Sequence, residues 1–294
     1  MNAKPFFSVI IPTYNRSDIM KEAIESVLQQ TYDDFEIIVI DDHSTDDTEA
    51  VVRGLGDDRI IYKKNTRKKG GGGARNEGIF TATGEWVAFL DDDDVWVANK
   101  LELFYKKIKE SDGETGLIYS AFTYYDFNNK VELKTNAYGK TGWIRNDLLY
   151  TNWIGTYSAV AVRTDLLHSI NGLDEDFSSY QDLELYVRIT EVAKVEYIPE
   201  SLTLYRVDNL DNISKSFDKK LSGNLKFYSK YKEDIHKLPK VHHRVRSQLF
   251  LNALGAKNWR LAIQSVPWTL AGIVLDPKNI LITTRTLAKR LSSK

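Results

Sequence analysis

Cysteine is absent from the 294 residues, which excludes disulfides and thiolate metal ligands and fits a reducing compartment. Histidine is scarce: five scattered residues offer little to a zinc site. Long apolar runs are also missing. The stretch from Val266 to Leu275 is about ten residues and contains Pro267, well short of the roughly 20 that a bilayer requires. The amino terminus reaches Phe6-Phe7-Ser8-Val9-Ile10-Ile11 without the cationic, apolar and small-residue succession of a secretory signal, so a cytoplasmic location is expected. With 42% hydrophobic residues the chain can bury a substantial core, as one large or two modest domains. The net charge of −1 conceals an imbalance: residues 211–294 carry 17 Lys and Arg against 5 Asp and Glu, and residues 1–210 carry 23 against 36. An acidic body suits metal chemistry, and a basic tail suits an anionic surface.

What is present in force is acid at one point. Asp91, Asp92, Asp93 and Asp94 follow directly on the apolar run Trp86 to Leu90, which reads as a buried strand. Adjacent carboxylates repel and raise one another's pKa, so they persist where solvent or a divalent cation absorbs the charge. A solvated acidic turn is the plain alternative. Oxygen ligands of this hardness point to Mn²⁺ or Mg²⁺.

From Phe6 to Leu90 short β-branched runs alternate with helical stretches, the pattern of a parallel sheet covered by helices. Strands are expected at Phe7–Ile11, Phe35–Ile40, Arg59–Tyr62 and Glu85–Leu90, with helices starting at Ser17-Asp18 and at Ser44-Thr45. Open parallel sheets bind ligands beyond the carboxyl ends of their strands. Three polar clusters fall there: Pro12-Thr13-Tyr14-Asn15, Asp41-Asp42-His43-Ser44 and the four aspartates. Gly70 to Gly73, after Arg67-Lys68-Lys69 and before Arg75, read as a flexible loop or a phosphate cradle, with Arg75 placed to neutralise the site. Beyond Asp94 the pattern is mixed: a helix over Asn99–Glu110, antiparallel strands at Gly116–Tyr125 and Lys130–Thr135, a strand at Ser158–Val162 and a helix from Thr164. Leu183, Tyr186 and Val187 share a helical face, which sets Asp182 at a helix start, where an aspartate also serves simply as a cap.

Taken together, Ser8-Val-Ile-Ile-Pro-Thr-Tyr-Asn15, Gln29-Gln30-Thr31-Tyr32, Ile40-Asp-Asp-His-Ser-Thr-Asp46, Gly73-Ala-Arg-Asn-Glu-Gly78, Phe89-Leu-Asp-Asp-Asp-Asp-Val-Trp96 and Gln181-Asp-Leu-Glu-Leu185 resemble, in order, the motifs of family 2 glycosyltransferases over about residues 5–206. The resemblance implies an α/β GT-A fold, a nucleotide-sugar donor, preferably a UDP-sugar, a divalent metal, and transfer with inversion. It implies that Pro12 and Tyr14 hold uracil, with Thr13 and Asn15 beside them, Asp42 accepting from the base and Asp41 supporting it. Asp93 and Asp91 would be the metal-side carboxylates, Asp92 the ribose neighbour and Asp182 the general base. Gln181, expected with Trp153 on the acceptor side, stands where a Glu is usual, and His43 where Gly is common. The expected organisation is a catalytic domain over 1–210, divided into a nucleotide-sugar half (1–97) and an acceptor half with a mixed sheet (98–210), then a basic helical extension over 211–294.

In the extension, Leu221, Leu225 and Tyr228, and then Val245, Leu249 and Ala253, recur at helical spacing. Trp259, Trp268 and the apolar runs up to Ile282, set among Lys278, Arg285, Lys289, Arg290 and Lys294, suit an interfacial helix pair over 257–294 on anionic lipid, peripheral to the membrane, or else core helices with a solvated basic face. A membrane location suits a polyprenyl-linked acceptor, and a glycan acceptor is the other option. Trp143, Trp153 and Tyr157 are candidate sugar-stacking residues or core. Rival readings are a sugar-1-phosphate nucleotidyltransferase, whose Gly- and Arg-rich loop is missing after the first strand, and a non-catalytic nucleotide-sugar or glycan-binding module. Nucleic-acid binding is not expected, since no recognition motif is evident.

Overall fold

A computed structural model describes residues 4–207 and 216–275, with side chains up to Leu270. The chain forms two units: Met1–Arg145, Trp153–Glu175 and Asp182–Leu210 make the first, and Asn146–Asn152, Asp176–Gln181 and Asp211–Lys294 the second.

The first unit is built on β1 (Phe7–Thr13), β2 (Phe35–Asp41), β3 (Ile60–Lys64), β4 (Trp86–Phe89), β5 (Val95–Trp96), β6 (Thr115–Asp126), β7 (Val131–Asn136), β8 (Val160–Arg163) and β9 (Lys194–Arg206). They join in the order β3-β2-β1-β4-β8-β6-β9-β5, with β7 paired to β6. The β3-β2-β1-β4 portion is parallel throughout, β1 lying between β2 and β4. At β4–β8 the sheet turns antiparallel and stays mixed beyond. This is the expected α/β architecture, including the antiparallel β6–β7 pair.

Side-chain alternation along β1 and β2 divides the core. Val9, Ile11 and Val39 pack with Ile24 of α1 (Ser17–Leu28) and with Leu101 and Phe104 of α4 (Lys100–Glu110). Ile38 and Ile40 meet Ala74 of α3 (Gly71–Thr81) on the other face. Close approach of α3 depends on glycine: a Cβ on Gly78 would stand 2.4 Å from a methyl of Ile10, and one on Gly73 1.9 Å from the carbonyl oxygen of Lys68. The second contact folds the basic loop over the start of α3. The segment expected as a loop therefore enters the helix at Gly71.

The second helix also differs, since α2 runs Thr48–Gly54 and does not begin at Ser44-Thr45. Those residues are used in a turn instead: the Ser44 amide donates to Asp41 Oδ1 (2.7 Å) and the Thr45 amide to Asn15 Oδ1 (2.7 Å). The strand expected from Ser158 starts at Val160, after a 3₁₀ turn over Tyr157–Ala159. Then come α5 (Arg145–Tyr150, before that turn), α6 (Thr164–Ser169) and α7 (Gln181–Val192), the last placing Asp182 in its first turn.

The second unit holds α8 (Phe217–Lys230), α9 (Lys232–Lys237), α10 (Pro239–Gly255) and α11 (Trp259–Leu275). Leu221, Leu249, Ala253 and Ala262 form its core cluster, and Val245 is buried as its spacing requires. Leu225 is exposed, so the face expected in α8 is buried mainly through Leu221 and Phe227. The remainder of the helix pair expected over 257–294 lies outside the described residues.

Candidate active site

Three strand ends deliver the polar clusters. At the end of β1, Thr13 is buried, while Tyr14 is exposed with the Lys69 ammonium 4.4 Å from its ring centroid. Pro12, which has no N–H, sits within β1 in register with Ile40. Asn15 takes φ 50°, in the left-handed region that Asn tolerates, and receives the Ser44 turn: its amide donates to Ser44 Oγ at 2.9 Å.

At the end of β2 both aspartates are buried acceptors. Asp41 receives the Ser44 amide and the Tyr62 hydroxyl (2.6 Å). Asp42 receives the Asn65 amide group (2.7 Å) and the backbone N–H of Gly70 (2.8 Å), so one carboxylate ties the β2 end to the glycine loop.

After β4 the four identical residues separate into different roles. Asp91 pairs with the Arg75 guanidinium, and its amide donates to Ser158 Oγ at 3.0 Å. Arg75 is buried, with its guanidinium 4.3 Å from the Tyr157 ring centroid. Asp92 and Asp93 share one nitrogen of Arg16, at 2.9 and 3.0 Å. Burial raises the Asp92 carboxyl to about 6 although the Arg16 charge opposes the rise. Asp94 points inward: Oδ1 accepts the Arg206 amide (2.9 Å), and Oδ2 is buried with no hydrogen-bond partner. Desolvation first, then the charges of Asp93 and Asp91, push its carboxyl well above the usual range. Arg206, at the end of β9, also donates through Nε to the Asp93 carbonyl at 2.8 Å, clamping the acidic turn.

One oxygen from each of Asp91, Asp93 and Asp94 lies within 4.8 Å of the others. Three carboxylates with a buried oxygen lacking a partner fit a hard divalent cation, whose charge would offset both the repulsion and the desolvation. The expectation named Asp93 and Asp91; Asp94 joins them.

Asp182 stands on the first turn of α7. Desolvation raises its carboxyl to about 6, against the backbone N–H groups of Leu183 and Asp182 and the charge of Arg75, while Asp91 adds to the rise. Asp182 and Asp91 are therefore close enough to feel one another's charge. Tyr157 and Tyr186 lie in the same field, their rings 6.0 Å apart and their hydroxyls buried without partners.

The position of α7 is tied to α3. Arg188 pairs with the buried Glu184 one turn earlier and donates to the carbonyls of Ile170 (3.0 Å) and Gly172 (2.8 Å). Asn76 then holds Leu173 by two reciprocal bonds, of 3.0 and 2.7 Å. Asn76 follows Arg75 directly, so Asp182 is positioned against the Arg75–Asp91 pair.

Of the acceptor-side candidates, Gln181 donates to the Phe177 carbonyl. Trp153 is partly buried, with the Lys140 ammonium 4.9 Å from its ring centroid. Trp143 is exposed. Tyr157 is not available as an open stacking surface, since Arg75 covers one side of its ring and Phe89 packs 5.4 Å away. Arg16, Arg206 and Asn76 were not singled out from the sequence. Arg16 and Asn76 carry a sequence signal, the first directly after Pro12-Thr13-Tyr14-Asn15 and the second inside Gly73-Ala-Arg-Asn-Glu-Gly78, whereas Arg206 carries none.

A parallel half-sheet, a mixed half beyond it and a candidate acidic cation cluster after β4, together with the family match, mark a metal-assisted, inverting nucleotide-sugar glycosyltransferase of GT-A fold. The chain belongs to Glycosyl transferase family 2, whose model matches residues 8–170. It is 31% identical over 246 residues to an uncharacterized glycosyltransferase of Methanocaldococcus jannaschii, covering 81% of this chain and 82% of that one. To the GalNAc(5)-diNAcBac-PP-undecaprenol beta-1,3-glucosyltransferase of Campylobacter jejuni it is 33% identical over 214 residues, covering 71% and 67%. Among solved structures, residues 1–349 of S. aureus TarS in complex with UDP-GlcNAc superpose with a TM-score of 0.67 at 20% identity, over 88% of this chain and 79% of that one.

Proposed function

We propose that the protein transfers a hexose or N-acetylhexosamine from a UDP-sugar to a hydroxyl of a polyprenyl-linked glycan at the cytoplasmic face of a membrane. The observation that carries this reading is the placement of Asp182, a carboxyl raised to about 6 by burial, within the field of Asp91 and its Arg75 partner. A UDP-sugar is favoured by a relative, 46% identical over 96 residues, that takes UDP-Glc, and a lipid-linked acceptor by the relative that acts on an undecaprenol-linked glycan. Residues 1–210 would be the catalytic domain and 211–294 the basic extension.

The acceptor hydroxyl attacks the anomeric carbon opposite the diphosphate. The new C–O bond forms as the bond to the β-phosphate oxygen breaks, and the acceptor proton passes to Asp182. UDP leaves with both electrons of the broken bond. Asp91, Asp93 and Asp94 would hold Mn²⁺ or Mg²⁺, and the cation, when bound, offsets the charge developing on the diphosphate. Tyr14 offers its exposed ring for the uracil to stack on, with Pro12, Thr13 and Asn15 shaping that end and Asp42, held by Asn65 and Gly70, accepting from the base. Asp41 supports the turn and Asp92 faces the ribose. Arg75 fixes Asp91 beside the sugar, and Gln181 and Trp153 border the acceptor.

The test is release of UDP or GDP from a panel of nucleotide sugars with Mn²⁺, Mg²⁺ or chelator, for the wild type, Asp93→Ala and Asp182→Asn. Metal-dependent UDP release that both substitutions abolish, with donor still bound by Asp182→Asn, is the expected result. A folded protein that binds no donor in the presence of metal would overturn the reading in favour of a non-catalytic module.

A further inference from the structure

In helix α11 the usual arrangement of a surface helix is reversed. Its buried positions are Ala262 (2% exposed), Ser265 (0%) and Thr269 (5%), at i, i+3 and i+7. Leu261 packs against the core cluster, whereas Trp259 (62%), Ile263 (71%), Val266 (37%) and Leu270 (60%), at i, i+4, i+7 and i+11, form one outward stripe. The inward hydroxyls need no partner beyond the helix, since Ser265 donates to the Leu261 carbonyl (2.8 Å) and Thr269 to that of Ser265 (3.0 Å). Small inward residues let α11 pack closely on α10, its main neighbour. Each large apolar side chain left in water forgoes about 1.5–3 kcal/mol of burial, so four in one stripe need an apolar occupant.

The charge of the segment that carries the stripe identifies that occupant. No Asp or Glu occurs from Ile235 to Leu275, whereas Lys237, Lys240, Arg244, Arg246, Lys257 and Arg260 do. A second copy of this chain docking through the same stripe would bring the same basic segment and be repelled. An anionic lipid surface offers hydrocarbon for the stripe and negative headgroups for the bases. Trp259 begins the stripe and Trp268 flanks it, a position at headgroup depth that suits an indole. α11 runs 17 residues with Pro267 inside, and among the described residues no helix is long and apolar enough to cross a bilayer. We infer that α11 lies in the plane of an anionic membrane surface, with Trp259, Ile263, Val266 and Leu270 in the acyl boundary. The inference rests on the membrane location proposed above and names the surface that meets the lipid; it shares no residue with the donor site, so its failure leaves the glycosyl-transfer reading standing.

The experiment uses the full chain with vesicles of phosphatidylcholine containing phosphatidylglycerol, and with phosphatidylcholine alone. The wild type is expected to sediment with the anionic vesicles, salt-sensitively, with its tryptophan fluorescence quenched by brominated lipid. Ile263→Asp together with Leu270→Asp, at exposed positions that leave the far-UV spectrum unchanged, is expected to lower partitioning by roughly tenfold or more. Equal partitioning of variant and wild type, or no preference for anionic over neutral vesicles, overturns the inference. So does a wild-type dimer without vesicle binding that the same substitutions dissociate, because the stripe is then a self-interface.

Discussion

One nitrogen of the Arg16 guanidinium holds Asp93 Oδ2 at 3.0 Å and shares itself with Asp92 Oδ1 at 2.9 Å. Burial alone would lower the arginine's pKa, and the two carboxylates more than reverse that, so the guanidinium is firmly charged. A fixed positive charge on a carboxylate of the cation site competes with a cation for it. Arg16→Gln is therefore expected to bind Mn²⁺ more tightly in the absence of donor, by roughly tenfold, which corresponds to about 1.4 kcal/mol. Free Mn²⁺ measured by electron paramagnetic resonance during titration tests this. Unchanged or weaker binding would mean that Arg16 organises the site for the cation.

Asp182 should control both rate and stability, with opposite signs. As a general base it must be ionised, so kcat/KM of the wild type is expected to fall on the acid side of about pH 6. In Asp182→Asn that limb disappears and kcat drops by roughly 10²–10⁴. For stability, a carboxyl raised from 3.8 to about 6 on folding favours the folded state below its unfolded value and loses that contribution as pH rises through 6. The Asn variant should thus be the more stable protein in mildly alkaline buffer, by roughly 1–2 kcal/mol after allowance for partial exposure, and the gap should close toward pH 4. Urea denaturation across that range decides it.

Much of the fold is legible in the sequence because the parallel half of the sheet is locally consistent: β-branched runs become β1 to β4 and the polar clusters follow them. The acidic run shows the limit. Four identical neighbours give no sequence clue to which faces inward, and only Arg206, arriving from the end of β9, and Arg16, from the end of β1, assign Asp94 to the interior and Asp92 and Asp93 to an ion pair. The start of α2 escapes the sequence for a similar reason: Ser44 and Thr45 are acceptable helix caps, but Asp41 and Asn15 recruit their amides into a turn. In α11 the apolar spacing is readable, whereas which of its faces is buried depends on the partner helix.

The link from α3 to α7 predicts a stability defect at a distance from the chemistry. Glu184 is almost fully buried and pairs with Arg188, which also carries the carbonyls of Ile170 and Gly172. Arg188→Met leaves that carboxylate without its cation and should destabilise the fold by roughly 3–5 kcal/mol. Adding Glu184→Gln should restore part of the loss, since the uncompensated charge is then gone. If chemical denaturation shows the double variant no better than the single one, the carbonyl contacts of Arg188 account for its contribution.

Lys100 offers a test in the opposite direction, where removing a charge should strengthen the fold. Its ammonium is fully buried, reaching Ser120 Oγ at 3.3 Å and Thr203 Oγ1 at 3.2 Å, with the Phe104 ring centroid at 4.2 Å. Hydroxyls and an aromatic face compensate incompletely for lost water, and desolvation holds the amine well below its usual pKa. A depressed lysine penalises the folded state increasingly as pH falls from the unfolded pKa of 10.5 toward the folded value, below which the penalty is constant. Lys100→Met conserves the stem, removes the charge and is expected to stabilise the protein by roughly 1–3 kcal/mol at neutral pH, with the gain shrinking as pH is raised toward 10. Thermal or urea unfolding of the two proteins at neutral and alkaline pH provides the comparison. A Met variant that is less stable at neutral pH would show that the two hydroxyls and the aromatic rings compensate fully for burying the ammonium.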